Sequence, residues 1–257
     1  AKEKAGIIKN SVPVIIGENQ PETRTIFLDF AKRLNANILF ADEHFKVNYQ
    51  LRDTSGKSTY SFSLTDYPAL NPIKSDLSGN YQKKNICTAL MAIAVLENLN
   101  FKIKIDKIQE GFLNITQFTG LKGRWQEISF TPLVVCDTGH NEAGIREVME
   151  QINNTAYRNL HMILGFVADK DLDAILGLLP KEAQYYLCEP DVPRAKKADD
   201  LYHEFNFFCL KSKKFIKVSD AFNAAMAEAN KNDLIFVGGS NFVVADFLKW
   251  KKMKKTF

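Results

Sequence analysis

The stretch of this chain best equipped for chemistry is Asp137-Thr138-Gly139-His140-Asn141, which follows a short apolar run. An Asp at the end of a strand, with Gly and His at the start of a helix, can offer an anionic ligand a carboxylate, an imidazole and free backbone N–H groups. The same residues also allow a plainer reading, in which Asn141 caps the helix and Asp137 shapes the turn. Residue types and spacing leave both readings open. Asp169-Lys170-Asp171 sets two carboxylates close together, as a metal site would, but Asp171 stands where a helix cap is needed and the structural reading is preferred. Gly238-Gly239-Ser240-Asn241 suits either a close backbone approach to a ligand or a tight strand-to-helix turn. No strand is followed by Gly-x-Gly-x-x-Gly, which speaks against a dinucleotide-dependent dehydrogenase.

Ser55-Gly56-Lys57-Ser58 imitates the end of a phosphate-binding loop. Leu51 occupies the first glycine position, and a strand rather than a helix follows Ser58, so no helix N-terminus backs the loop. His44, His161 and His203 have no partner spacing and read as incidental. Lys249, Lys251, Lys252, Lys254 and Lys255 close a helix, where the dipole and solvent favour cations. They read as a solvated end rather than a nucleic-acid surface.

The elements that must position these residues fall into two regimes. Up to about Phe118, strands and helices mix without regular order. Val12 to Ile16 reads as a buried strand, and Pro21-Glu22 opens a helix carrying Ile26, Phe27, Phe30, Ala31 and Leu34. Asn37 to Phe40 is a strand, and Phe45–Leu51 with Ser58–Leu64 form a hairpin. Asn85 reads as the N-cap of a helix whose apolar face is Ile86, Ala89, Leu90, Ile93 and Leu96. From Leu121 onward, five strand-then-helix units follow in sequence. The strands are Leu133–Cys136, Leu160–Phe166, Tyr185–Cys188, Phe215–Val218 and Leu234–Val237. The helices between and after them centre on Ile145–Ile152, Leu172–Leu179, Leu201–Phe208, Phe222–Ala229 and Phe247. That alternation predicts a parallel three-layer sheet of Rossmann-like architecture, with ligands beyond the carboxyl ends of its strands. No internal repeat is evident.

The 257 residues are 46% hydrophobic and 25% charged, with 13 Gly and 8 Pro, which excludes disordered and low-complexity chains. A net charge of +4 selects no partner class. A mean hydropathy of −0.20 and the lack of a long apolar run argue against a membrane span. Cys87, Cys136, Cys188 and Cys209 are widely spaced and read as buried free thiols of a reducing compartment. The chain begins Ala1-Lys2-Glu3-Lys4 without Met or an apolar signal core, and reads as trimmed.

Six segments, in order, resemble one family. Glu3-Lys4-Ala5-Gly6-Ile7-Ile8-Lys9 is similar to the E-K-A-G-I-[IF]-[KR] segment of the bifunctional dihydrofolate synthase/folylpolyglutamate synthase family. Asn85 to Leu90 resembles its N-x-x-x-A-L helix start, Gly123-Arg124-Trp125-Gln126 its G-R-F-Q, and Asp137 to Asn141 its D-x-A-H-N. Gly165 to Asp171 resembles G-x-x-x-D-K-D, and Gly239-Ser240 a late G-S. The departures are Trp125 for Phe, Gly139 for Ala and Glu142 for Pro.

The resemblance implies a member of the Mur ligase superfamily. The expected architecture is the remnant of a mixed α/β ATPase domain (1–119) followed by a Rossmann-like, parallel-sheet glutamate-ligase domain (120–257), with a hinge near Gly120 to Arg124. It implies a cytoplasmic, monomeric amide ligase using ATP and Mg²⁺, with no nucleic-acid or membrane partner. A substrate carboxylate is phosphorylated, and L-glutamate attacks the acyl phosphate, extending dihydropteroate or a folate's glutamyl tail. It further implies that Lys4 is carbamylated to help hold magnesium, an anionic oxygen ligand suiting that ion. Asn85, Arg124 and Asp137 match ATP contacts, and His140 and Ser240 match the glutamate side, with Lys4 and His140 the catalytic candidates. The family's phosphate-binding loop, its other magnesium ligands and most of its folate surface lie upstream of the Glu3 segment. This chain alone is therefore expected to be inactive. The competing expectations are a non-catalytic nucleotide- or anion-binding module and a piece of a muramyl-peptide ligase.

Overall fold

The computed structural model describes residues 1–63 and 70–254, so Leu64 and Lys255 of the sequence readings lie outside the described residues. The chain divides into two compact units, Ala1–Gly120 and Leu121–Phe257.

The N-terminal unit is built from short pieces. Helix α1 (Lys2–Ala5) is a single turn, followed by β1 (Val14–Ile16), α2 (Pro21–Arg33), β2 (Ile38–Phe40) and the one-turn α3 (Ala41–His44). β1 and β2 pair in parallel, Ile15 opposite Leu39. β1 is half-buried rather than buried, and Val12 lies outside it, exposed. A three-stranded antiparallel sheet follows, from β3 (Lys46–Arg52), β4 (Ser58–Ser63) and β5 (Ile73–Ser75). Its hairpin turn is organised by Asp53, whose Oδ1 accepts the backbone N–H groups of Ser55 and Lys57, both at 3.0 Å. That fixes the phosphate-loop look-alike as a turn between strands. Helices α4 (Gln82–Asn98), α5 (Ile105–Leu113) and α6 (Ile115–Thr119) complete the unit. Its core gathers Phe45, Tyr60, Phe62, Ile73, Ile86 and Leu90.

The C-terminal unit contains one six-stranded sheet. Its elements are β6 (Gln126–Phe130), β7 (Leu133–Cys136), α7 (Glu142–Asn153), β8 (Leu160–Leu164), α8 (Asp173–Leu176), β9 (Gln184–Cys188), α9 (Ala198–Phe207), β10 (Ser212–Phe215), α10 (Val218–Glu228), β11 (Leu234–Gly238) and α11 (Asn241–Lys254). The strand order is β10-β9-β8-β11-β7-β6, with β7 through β11 parallel and β6 antiparallel to β7. The alternating pattern therefore gives the parallel sheet as expected, with one strand more. β8 and β11 are buried along their whole length, because helices cover both faces, and buried parallel strands read as apolar runs.

Successive strand residues point to opposite layers. Val135, Met162, Leu164, Tyr185 and Phe236 pack with Ile145, Val148 and Ile152 of α7 and with Leu201 and Phe205 of α9. Val134, Ile163, Tyr186, Ile235 and Val237 pack with Ala221 and Phe222 of α10 and with Val243, Val244 and Phe247 of α11. Several sequence boundaries shift: the strand expected at Leu160–Phe166 ends at Leu164, and the one expected at Phe215–Val218 runs Ser212–Phe215. The helix expected across Leu172–Leu179 is a single turn, and Val218 opens α10 instead of ending a strand.

Candidate functional site

The carboxyl ends of β7 and β11, with the segment entering β6, bring Arg124, Asp137, His140 and Ser240 into the same unit. Asp137 is 3% exposed. Its Oδ1 accepts the Gly139 N–H at 2.7 Å and its Oδ2 accepts the Trp125 N–H at 2.6 Å. Gly123 has φ +68°, and a Cβ there would stand 2.7 Å from Thr138 Cγ2 and 2.9 Å from Val244 Cγ1, so only glycine fits. The Gly123 carbonyl accepts both the Thr138 N–H at 3.0 Å and the Thr138 hydroxyl at 3.1 Å. Trp125 is itself left-handed at φ +44°, with its indole buried 6.4 Å from the Phe236 ring. Between these two held residues Arg124 is half-buried, and its Nη1 donates only a long 3.4 Å bond to the Gly123 carbonyl.

His140 is exposed, and its Nδ1 lies 3.0 Å from the Thr138 carbonyl. Because a carbonyl only accepts, Nδ1 carries the proton in this pair, which presents Nε2 outward as the ring's second nitrogen. Asn141 caps α7, its Oδ1 accepting the Gly144 N–H at 2.8 Å. The plainer turn-and-cap reading of this segment is thus present in the fold, and it coexists with the exposed imidazole of His140 and the half-buried Arg124. Ser240, 4% exposed, directs its Oγ to the Val243 N–H at 3.2 Å and so caps α11. A groove of about 710 Å³ opens beside Thr138, lined also by Asn241, Lys122, Lys249, Lys251 and Lys252. Part of the C-terminal lysine run therefore lines a surface depression.

The remaining candidates lie elsewhere. Asp171 Oδ1 accepts the Asp173 N–H at 3.1 Å beside α8, while Asp169 faces Arg194 at 3.9 Å, so the two carboxylates do not converge. Burial lowers the pKa of the intervening Lys170. Among the described residues no cluster of three or more His, Cys, Asp or Glu could hold a metal. In the N-terminal unit, Lys4 is exposed on the one-turn α1. The chain's own described residues therefore do not by themselves fit a magnesium site.

Asn85 is not an N-cap. It is exposed within α4, which starts at Gln82 after tight turns in which Gln82 and Lys83 donate to the Gly79 and Asn80 carbonyls. Those turns already satisfy the early donors, so the helix begins one turn sooner than the capping preference suggests. Asn85 Nδ2 instead donates to Gln82 Oε1 at 2.9 Å. Gln82 was not legible as a site residue. It is 2% exposed, and its Nε2 has no hydrogen-bond partner among the described residues. An unpaired buried amide is costly, and this one suits an acceptor brought by a ligand. Its three-residue spacing from Asn85 is the signal that could have found it.

Two further residues correct the sequence reading. His161 is not incidental: it is 6% exposed, with Nδ1 3.0 Å from the Tyr186 hydroxyl and Nε2 3.4 Å from Asp233 Oδ2. Cys209 is exposed rather than buried, unlike Cys87, Cys136 and Cys188. No helix among the described residues is long and apolar enough to cross a membrane.

Residues 123–241 match the family described as Mur ligase, glutamate ligase domain. The dihydrofolate synthase/folylpolyglutamate synthase of Escherichia coli K12 is 26% identical over 251 residues, covering 96% of this chain and 54% of the relative. The folylpolyglutamate synthase of Lacticaseibacillus casei is 27% identical over 199 residues, covering 76% of this chain and 45% of the relative. Among solved structures, Mycobacterium tuberculosis folylpolyglutamate synthase complexed with ADP aligns with a TM-score of 0.82 at 22% identity, covering 97% of this chain and 58% of that one. At that identity the structural likeness establishes the fold. The chain spans about half the length of these relatives.

Proposed function

We propose that this chain, whose residues 123–241 match the Mur ligase glutamate ligase domain and which is 26% identical to a dihydrofolate synthase/folylpolyglutamate synthase, is a portion of a cytoplasmic, ATP- and magnesium-dependent ligase of that family. That ligase adds L-glutamate to dihydropteroate or to the glutamyl tail of a folate. The two units correspond on this reading to the tail of the ATPase domain and the glutamate-side domain. Bound ATP supplies the phosphoryl group that activates the substrate carboxylate.

The observation that carries the reading is the held loop pair Gly123–Trp125 and Asp137–His140, which coincides with two of the family-like segments. Arg124 offers a planar guanidinium to phosphate oxygens, a geometry in which two parallel N–H donors meet an anion. The buried Gln82 amide beside Asn85 suits the polar edge of a nucleotide base. His140, with Nδ1 fixed on the Thr138 carbonyl, holds its other nitrogen ready to accept or relay a proton from an incoming amine. Ser240 supports this face through the start of α11. Lys4, if carbamylated, would contribute one oxygen donor toward magnesium, the others coming from outside the described residues.

The test is to assay the full gene product with ATP, L-glutamate and, in turn, dihydropteroate, tetrahydrofolate and a muramyl peptide. Glutamate addition to a pteridine substrate is expected, with none from the present chain alone. Turnover only with the muramyl substrate, or ATP binding without any ligation, would overturn the reading.

A further inference from the structure

Asp137 aligns with a position expected to touch the nucleotide, yet in this fold its carboxylate has another occupation. Both oxygens accept backbone N–H groups, from Gly139 at 2.7 Å and Trp125 at 2.6 Å, and the residue is 3% exposed. Both bonds are short and charge-assisted, and together they tie the carboxylate to the backbone of two loops. Trp125 in turn holds φ +44°, a region that a bulky side chain enters only under constraint. Its constraints are the Asp137 carboxylate on its N–H and the indole packed into the core against Phe236. On the other side of Arg124, Gly123 is left-handed and pinned to Thr138 through both the Thr138 N–H and its hydroxyl. Arg124 is thus the single residue between two left-handed neighbours, each tied to the same loop. Strained backbone held by surrounding structure gathers where a side chain must be pre-aimed.

We infer that Asp137 is a positioning residue: through Trp125 it clamps the backbone on which Arg124 is mounted, and it acts on an anionic ligand by way of Arg124. This deepens the proposed nucleotide reading, with the phosphate chain as the group Arg124 meets. The clamp itself is a property of the free chain.

Two measurements test it on the present chain. The first needs no ligand: the NMR order parameter of the Arg124 Nε–H, compared with that of Arg146, which is exposed on α7. Arg124 is expected to be the more restricted in the parent and to loosen to the Arg146 level in Asp137→Asn, whose amide cannot accept both N–H groups. Gly123→Ala breaks the same clamp from the other side, and it stands in if Asp137→Asn fails to fold. The second is calorimetry with ATP on Asp137→Asn, Arg124→Ala and the double variant. Each single change is expected to weaken binding about tenfold, and the double variant no more than Arg124→Ala alone. Unchanged Arg124 order in both clamp variants, or losses that multiply in the double variant, would overturn the inference. If the parent binds no ATP, the nucleotide reading falls, while the order parameters still decide the clamp.

Discussion

Gly165 follows β8 at the head of a family-like segment, and the structure gives a reason for glycine there that involves no ligand. A Cβ at this position would collide with the Cys188 carbonyl oxygen and stand 2.9 Å from Val243 Cγ2. The carbonyl belongs to β9, which pairs with β8, so it cannot swing aside without breaking the sheet. Overpacking of this kind costs about 1–3 kcal/mol, and a backbone obstacle belongs at the upper end. Against that, Gly→Ala restricts the unfolded chain and returns about 0.4–1 kcal/mol. Gly165→Ala should therefore destabilise the C-terminal unit by about 2 kcal/mol. Both tryptophans of the chain, Trp125 and Trp250, lie in that unit, so guanidinium unfolding followed by tryptophan fluorescence reports on it alone. The midpoint should fall with the slope unchanged. Gly177→Ala is the control, because its Cβ would meet only the Asp173 and Ala174 carbonyls at 3.4 and 3.9 Å. A Gly165→Ala midpoint shift worth less than about 0.5 kcal/mol, the range of ordinary surface substitutions, would refute the steric argument.

Other outcomes follow from single contacts. Burial raises the Asp233 pKa, but hydrogen bonds from Asn230, His161 and Asn159 together outweigh it and hold the carboxyl below its ordinary 3.8. The stabilisation is therefore complete above that ordinary value and is lost as pH falls through the depressed one. Asp233→Asn should flatten this acid limb in pH-dependent melts and cost about 1–3 kcal/mol at pH 7. Burial pushes the Cys87 thiol up to about 11 and the Cys136 thiol up to about 12. Mass spectrometry after brief native alkylation should thus find one label, on Cys209, against four in denaturant. Lys57→Ala, which removes a 2.8 Å bond to the Leu113 carbonyl, should cost the N-terminal unit about 1 kcal/mol and leave nucleotide affinity as in the parent.

What the sequence made legible was what burial writes into residue order. Leu160–Leu164 is buried throughout and apolar except for His161 because helices lie on both of its faces, and Ile145, Val148, Met149 and Ile152 recur at helical spacing because one face of α7 is buried. Gln126–Phe130 carries no such mark, because as the edge strand it is mostly half-buried and polar in part. Asn85 has the right chemistry for a cap, but the helix start was decided by turns at Gly79–Tyr81 that no single side chain announces. His161 looked solitary because its partners are remote in the chain, Tyr186 on the neighbouring strand and Asp233 just before β11. The Asp137 segment lies between strand and helix, where its residue types place it. Its hold on Trp125 was hidden because a backbone N–H leaves no trace in residue type.

The place of β11 in the sheet has a consequence for biosynthesis. It is the last of the described strands, yet it sits between β7 and β8 and pairs with both, Phe236 lying opposite Val135 on one side and Met162 on the other. As the polypeptide leaves the ribosome, β7 and β8 emerge long before the strand that joins them. Their facing edges stay unpaired and sticky until residue 238 is out of the exit tunnel. A premature stop that removes β11 therefore takes out the middle of the sheet instead of trimming its border. Such a product should be found with chaperones or in inclusion bodies, whereas loss of the border strand β6 leaves the five parallel strands continuous.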